Sequence, residues 1–280
     1  MTAPLRVNFE RLQADIEALA AIGRHEDHGL YRMAFSDGDM QAREWFVSRI
    51  ADAGLDTYID GAANIHARLG WDGERASVMT GSHLDTVPGA GHLDGALGVL
   101  VGLECLRCLR ESGLPLRRPL EAVAFTDEEG RFGGMFGSQA ICGMLTPERI
   151  HTARDLDGVT IGEAMAARGL NAMDALRAQR RPDSLHAFLE LHIEQGPVLD
   201  RQGVRIGVVE GIVGLFKWNA RLIGLANHAG TTPMDMRRDA FQGLAELAGE
   251  LPRILEEDGG SRSVATIGRI ELFPGAANVV

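Results

Sequence analysis

Four short stretches of this chain combine imidazole and carboxylate in the way divalent-metal chemistry requires. They are GSHLDT with His83 and Asp85, GHLDG with Asp94, TDEEG with Glu128 and Glu129, and LHIEQGP with His192, Glu194 and Gln195. Two ions about 3.5–4 Å apart can hold a water between them and polarise a carbonyl. Such a site needs a bridging carboxylate, terminal His and carboxylate ligands, and a free base. Asp94 could bridge, His83, His192 and Glu129 could be terminal, and Glu128 would remain as the base. Asp85, two residues past His83, could hold the far ring nitrogen of that His and set its tautomer. Taken singly, an Asp-Gly is usually a turn, paired glutamates a solvated surface, and one His a hydrogen-bonded structural residue. Four such clusters at strand or loop ends point instead to one shared site. His228, in LANHAGTTP, reads either as a turn residue before a helix or as a donor to a substrate oxygen. No G-x-S-x-G is present, so a serine elbow is unsupported. Asp94 stands where a dinucleotide-binding loop starting at Gly89 would need its third glycine.

The elements that must carry these groups follow from period and punctuation. Asn8 is placed to cap a helix with Leu12, Ile16 and Leu19 on one face, stopped by Gly23. Ser36 does the same for a helix with Trp45, Phe46 and Ile50, stopped by Gly54. Thr57–Ile59 and Asn64–Leu69 flank Asp60-Gly61 as a hairpin. Ser77–Ser82, Leu120–Thr126 and Leu185–Ile193 read as strands that deliver three of the clusters, and a helix follows over Ala96–Arg110. Thr160 and Glu163 form a capping box for a helix through Ala167. Strands alternating with helices predict an α/β sheet, where ligands gather at the carboxyl ends of strands. After about Gly211 the pattern becomes a strand over Leu215–Gly224, a long helix from Thr232-Pro233, and a strand over Val264–Leu272. This predicts a catalytic domain over 1–211 and a second, smaller α/β unit over 212–280.

Composition narrows the partners. With 28 Lys+Arg against 39 Asp+Glu, a net charge of -11 and no basic stripe, the chain is a poor nucleic-acid binder. Its longest apolar run falls far short of the ~18 residues of a membrane span. The amphipathic, acid-bearing N-terminus is no secretory signal. Three cysteines cannot make a disulfide framework, and Cys105 and Cys108 fall within the helix pattern as packing residues. A reducing cytoplasm is the expected compartment. Glycine is over-used, 35 of 280 residues against roughly 7% ordinarily, and much of it lies in the clusters above.

The stretches GSHLDTVPGAGHLDG, FTDEEGRFGGMFGS, LHIEQGPVLD and GLANHAGTTPMDMRRDA resemble the M20 metallopeptidase superfamily. They are most similar to its amidohydrolase branch of N-carbamoyl-L-amino-acid hydrolases, β-ureidopropionases and allantoate amidohydrolases; HIEQGP and ANHAGTTPM separate them from dipeptidases and aminoacylases. The resemblance implies a zinc-exopeptidase-like α/β catalytic domain carrying an inserted ferredoxin-like α+β lid and dimerisation domain. It implies two divalent ions, zinc by default with manganese, cobalt or nickel as alternatives. His83 and His192 would hold one, Glu129 the other, and Asp94 both. Glu128 would be the general base and Asp85 would orient His83. Gln195 and Asn278 would contact the substrate carboxylate, and His228 would bind substrate and the oxyanion, often across a homodimer interface. The implied reaction is hydrolysis of a C–N bond in an N-carbamoyl amino acid or related ureido acid. The family also supplies a last metal-binding His and a substrate-binding Arg from later in the chain. The sequence is therefore expected to stop inside the lid, leaving a truncated, inactive fragment as the competing expectation.

Overall fold

The helices begin where a side chain meets the unpaired N–H groups of a first turn. Asn8 accepts from Arg11 N to open α1 (Phe9–Ala21), and Ser36 accepts from Asp39 N to open α2 (Asp37–Asp52). In the computed structural model, which describes residues 5–280, two compact units form. The first runs to Gly207 and the second from Val208 to Val280. The first four residues of the N-terminal stretch considered above lie outside the described residues.

The first unit is built on five strands: β1 (Asp56–Ile59), β2 (Ile65–Leu69), β3 (Ser77–His83), β4 (Leu120–Phe125) and β5 (Leu185–Leu189), in the order β1-β2-β4-β3-β5. The first two form the expected hairpin, but around a five-residue loop. The Asp60 carboxylate ties that loop, accepting from Ala62 N, Asn64 N and Asn64 Nδ2. The pair β2–β4 is antiparallel, whereas β4–β3 and β3–β5 are parallel. Helix α3 (Ala96–Ser112) makes the crossover from β3 to β4.

Period two along the strands sorts the two faces. Ile65, Ala67, Ala122 and Ala124 pack with Leu12, Leu19, Phe46, Ile50, Val99 and Leu103 from α1, α2 and α3. The alternate positions His66, Arg68 and Glu121 join Arg180 and Ser77 in an ion cluster around the fully buried Glu121. A second core covers α4 (Phe136–Ile141), α5 (Pro147–Thr152) and α6 (Ile161–Ala166), with Phe35, Phe132, Ile161 and Met165 buried. Both halves of the Thr160–Glu163 capping box are present. Burial pushes the Cys105 and Cys108 thiols up, as expected of packing residues on a helix.

Three expectations are corrected. Strand β5 stops at Leu189, so His192 rides the irregular segment beyond it; α7 (Val198–Gln202) follows. In the second unit, Leu215–Gly224 and Val264–Leu272 form no strand. Their apolar period marks a face suited to burial, yet an extended segment becomes a strand only where another backbone meets its N–H and C=O groups. The long helix, α8 (Ala240–Asp258), starts eight residues later than Thr232, behind the cap Asp239. Arg237 donates to Thr232 O and Ala229 O and holds the preceding stretch as a loop. No helix among the described residues is long and apolar enough to cross a membrane.

Candidate metal centre and active site

Parallel pairing brings the clusters together. His83, the last residue of β3, is in register with Phe125 of β4, and Thr80 with Leu189 of β5. All three strands therefore empty onto one edge of the sheet, with GHLDG beside it at the start of α3. Gly95, with φ +62°, forms the N-terminal boundary of that helix. A Cβ there would lie 2.4–2.5 Å from three ring atoms of His83, so the bare backbone gives the imidazole its place.

Three side chains converge at this edge. His192 Nε2 lies 3.2 Å from Asp94 Oδ1, and His83 Nε2 lies 4.0 Å from the same oxygen. The three ligand atoms stand within 4.8 Å of one another. The far nitrogens decide what they present. His83 Nδ1 is 2.9 Å from Asp85 O, and His192 Nδ1 is 2.8 Å from Ile193 O. Carbonyl oxygens only accept, so in the neutral rings both Nδ1 atoms carry the hydrogen and both Nε2 atoms present lone pairs. Two lone pairs and a carboxylate thus face one point, while Asp94 Oδ1 is buried without a donor. With both rings neutral, the cluster is a set of acceptors with no donor between them, which suits a cation. Tetrahedral zinc with nitrogen ligands at about 2.0–2.1 Å separates its ligand atoms by roughly 3.3 Å, a spacing the observed 3.2 and 4.0 Å bracket. The residues present fit a divalent ion.

The surrounding charge has the same sense. Burial pushes the Asp85 carboxyl up to about 6 and that of Asp127 up to about 7. Burial raises Glu129 also. For His83 burial opposes the charged ring, but Asp85, Glu128 and Glu129 together hold its pKa above the ordinary value. Anions crowded in a poorly solvated place raise one another's pKa, and a cation would relieve them.

The other expected residues take definite places. The Asp85 carboxylate is 3.8 Å from His83 Nδ1, and it is the backbone oxygen of Asp85 that meets this nitrogen. The carboxylate instead accepts from Glu128 N at 3.3 Å and Glu129 N at 3.1 Å, tying the first cluster to the second. Glu128 brings Oε2 to 3.4 Å from His83 Nε2, while Glu129 stands outside the three-residue convergence. Gln195 Nε2 donates to Asp94 Oδ2 at 2.7 Å. Glu194 points elsewhere: its carboxylate accepts from Leu199 N and Asp200 N and caps α7, a role visible in hindsight from an acid just before a helix start. Ser82 Oγ donates to Glu190, a pairing with no local signal.

His228 and Asn278 belong to the second unit, where a bridge joins His228 to Val279 and Ala229 N donates to Asn278 O at 3.0 Å. His228 Nδ1 accepts from Gly230 N at 3.0 Å, so its neutral ring carries the hydrogen on Nε2 and is a donor there.

Comparison with known proteins adds lineage. Residues 79–274 match the model of peptidase family M20/M25/M40. An N-carbamoyl-L-amino acid amidohydrolase of Geobacillus stearothermophilus is 39% identical over 278 residues, 98% of this chain and 67% of that protein. An allantoate amidohydrolase of Escherichia coli (strain K12) is 36% identical over 278 residues, 97% of this chain and 66% of that protein. The crystal structure of an amidase of the hydantoinase/carbamoylase family from Burkholderia vietnamiensis superposes with a TM-score of 0.81 at 34% identity, covering all of this chain and 67% of that one. The chain thus spans about two-thirds of the length of these relatives.

Proposed function

From the premise that the chain belongs to peptidase family M20/M25/M40, we propose that it is a metal-dependent amidohydrolase acting on a C–N bond other than a peptide bond. Its substrate class is an N-carbamoyl amino acid or a related ureido acid, the chemistry named for the relatives. The observation that carries the reading is the convergence of His83 Nε2, His192 Nε2 and Asp94 with both Nδ1 atoms already engaged.

In this reading His83, His192, Asp94 and Glu129 hold two divalent ions, zinc by default. Bound ions would polarise the scissile carbonyl and make water acidic near neutral pH. Glu128 is the base. Its carboxylate is about one-third exposed and sits beside the acceptor cluster, where it takes a proton from water and returns it to the leaving nitrogen. Asp85 keeps the Glu128 and Glu129 backbone fixed relative to His83. Gln195 steadies Asp94, and Gln195 and Asn278 are each assigned to the substrate carboxylate. His228 donates from Nε2 to the oxygen that gains charge. The portion up to about residue 211 is the catalytic domain, and 212–280 belongs to the lid through which a homodimer forms. Three free cysteines suit a reducing cytoplasm.

The test is ion content by elemental analysis, together with ammonia release from N-carbamoyl amino acids, allantoate and N-carbamoyl-β-alanine. Glu128→Gln is expected to keep the ions and lower turnover about 10²–10⁴-fold. Turnover unchanged by that substitution would remove Glu128 from the role of base, and a chain that bound no ion would end the metal reading.

A further inference from the structure

One large polar residue takes no part in the proposed chemistry yet lies directly behind it. Arg32 is 0% exposed. Its Nε donates to Leu84 O at 3.0 Å, the carbonyl between His83 and Asp85. Its Nη1 donates to Leu19 O and Ile22 O, each at 3.2 Å, at the C-terminal end of α1. Its backbone closes the arrangement: Arg32 N donates to Thr86 Oγ1 at 3.0 Å, and Thr86 N donates to Arg32 O at 3.1 Å. The sheet ends at His83, and residues 84–87 belong to no helix or strand. This loop is therefore held by Arg32 on one side and, through Asp85, by Glu128 N and Glu129 N on the other.

We propose that Arg32 is a positioning residue for the acceptor cluster: its planar fork anchors the Leu84 peptide to the end of α1 and thereby sets where His83 and Asp85 stand. The inference rests on the metal reading given above. Three features support it. Burying a guanidinium is unfavourable, and apolar residues of similar volume often serve stability as well or better. The contacts it makes are with backbone on both flanks of a loop, the arrangement that fixes geometry. Asp39 and Asp85 are the anions that offset its burial, which draws its pKa down to about 10 and leaves it charged at neutral pH. Lysine cannot reproduce the role, since a point charge lacks the rigid fork that spans the Leu84 and α1 carbonyls.

The experiment uses the full chain as wild type, Arg32→Met, Arg32→Lys, Thr86→Val and, as a stability control, Ile50→Ala in the helical core. Zinc affinity by chelator competition, kcat and KM on an N-carbamoyl amino acid, and Tm are read at a temperature where each protein is folded. Arg32→Met is expected to weaken zinc binding and to lower kcat each by at least ~10-fold, with KM nearly unchanged, and Arg32→Lys to recover only part of either. Ile50→Ala is expected to lose Tm while keeping wild-type affinity and kcat. Thr86→Val removes one hydroxyl from the same arrangement and is expected to weaken zinc binding about threefold, whether or not Arg32→Met folds. Wild-type affinity in Thr86→Val, wild-type affinity and kcat in folded Arg32→Met, or equal losses in Ile50→Ala would each overturn the proposal. A wild type that binds no zinc would overturn the metal reading and this inference with it. Zinc bound equally by wild type and the Arg32 variants would overturn this inference alone.

Discussion

Replacing Gly95 by alanine tests whether the start of α3 is shaped by the histidine beside it. Gly95 has φ +62° and ψ -52°, outside the regions open to a residue with a Cβ. Holding alanine at such a sparsely populated φ/ψ costs about 1–3 kcal/mol. Its methyl would also stand 2.4 Å from His83 Cε1 and 2.5 Å from Cδ2 and Nδ1. His83 is only 2% exposed, so the ring has no open solvent to move into, and overpacking of this kind costs about 1–3 kcal/mol more. The sum, about 2–6 kcal/mol, corresponds to a fall of roughly 4–24 °C in Tm for a unit of this size. Gly113 supplies the comparison. It ends α3 at φ +64°, and an added Cβ there would meet nothing within 4 Å. Gly113, in the left-handed α region, should on substitution by alanine lose only about 1–2 kcal/mol, roughly 2–8 °C. Thermal unfolding of the chelated proteins measures the difference, and zinc competition measures its consequence: at least ~10-fold weaker binding in Gly95→Ala and no change in Gly113→Ala. Equal Tm losses with unchanged zinc affinity would show that Gly95 is not there to admit the ring.

Other perturbations follow from the same geometry. Glu121 accepts from Ser77 Oγ, Arg180 Nη1 and Arg68 Nε at 2.5, 2.7 and 3.1 Å, so Glu121→Gln should lower stability at pH 7 by about 3–5 kcal/mol in urea unfolding. Burial pushes that carboxyl up, but the His66 imidazole beside it and hydrogen bonds from Ser77 and Arg180 outweigh it and hold it well below the carboxylate range. The contribution of Glu121 is thus complete above its unfolded pKa of about 4.3 and is lost as pH falls below it. Urea midpoints of wild type and Glu121→Gln should accordingly converge in acid; a gap constant from pH 7 to 3 would refute this. Thr160→Ala breaks the capping box of α6 and should cost about 1 kcal/mol in the same assay. Adding zinc at 100 times its Kd to the chelated chain should stabilise it by about 2.7 kcal/mol, seen as a rise in Tm that Asp94→Ala abolishes.

Much of this protein is decided within a few residues of chain. The caps at Asn8, Ser36 and Thr160, the hairpin around Asp60 and the strands β3 and β4 are legible because capping, turn formation and alternation act over one to five positions. The chemical character of the clusters is legible for the same reason: His83, Asp94, Glu128 and His192 announce metal chemistry by residue type. What the sequence could not reveal is the contact geometry. The hydrogen bond from Gln195 to Asp94 joins positions 101 residues apart, and Arg32 reaches Leu84 across 52. Whether the Asp85 carboxylate would hold His83 or the Glu128–Glu129 backbone depended on how the β4 loop sits beside the β3 loop. The apolar stretches Leu215–Gly224 and Val264–Leu272 carry a strand pattern that no backbone answers among the described residues. Local propensity is a property of the chain; a ladder, a buried cation or three converging acceptors exists only where tertiary packing brings the second partner.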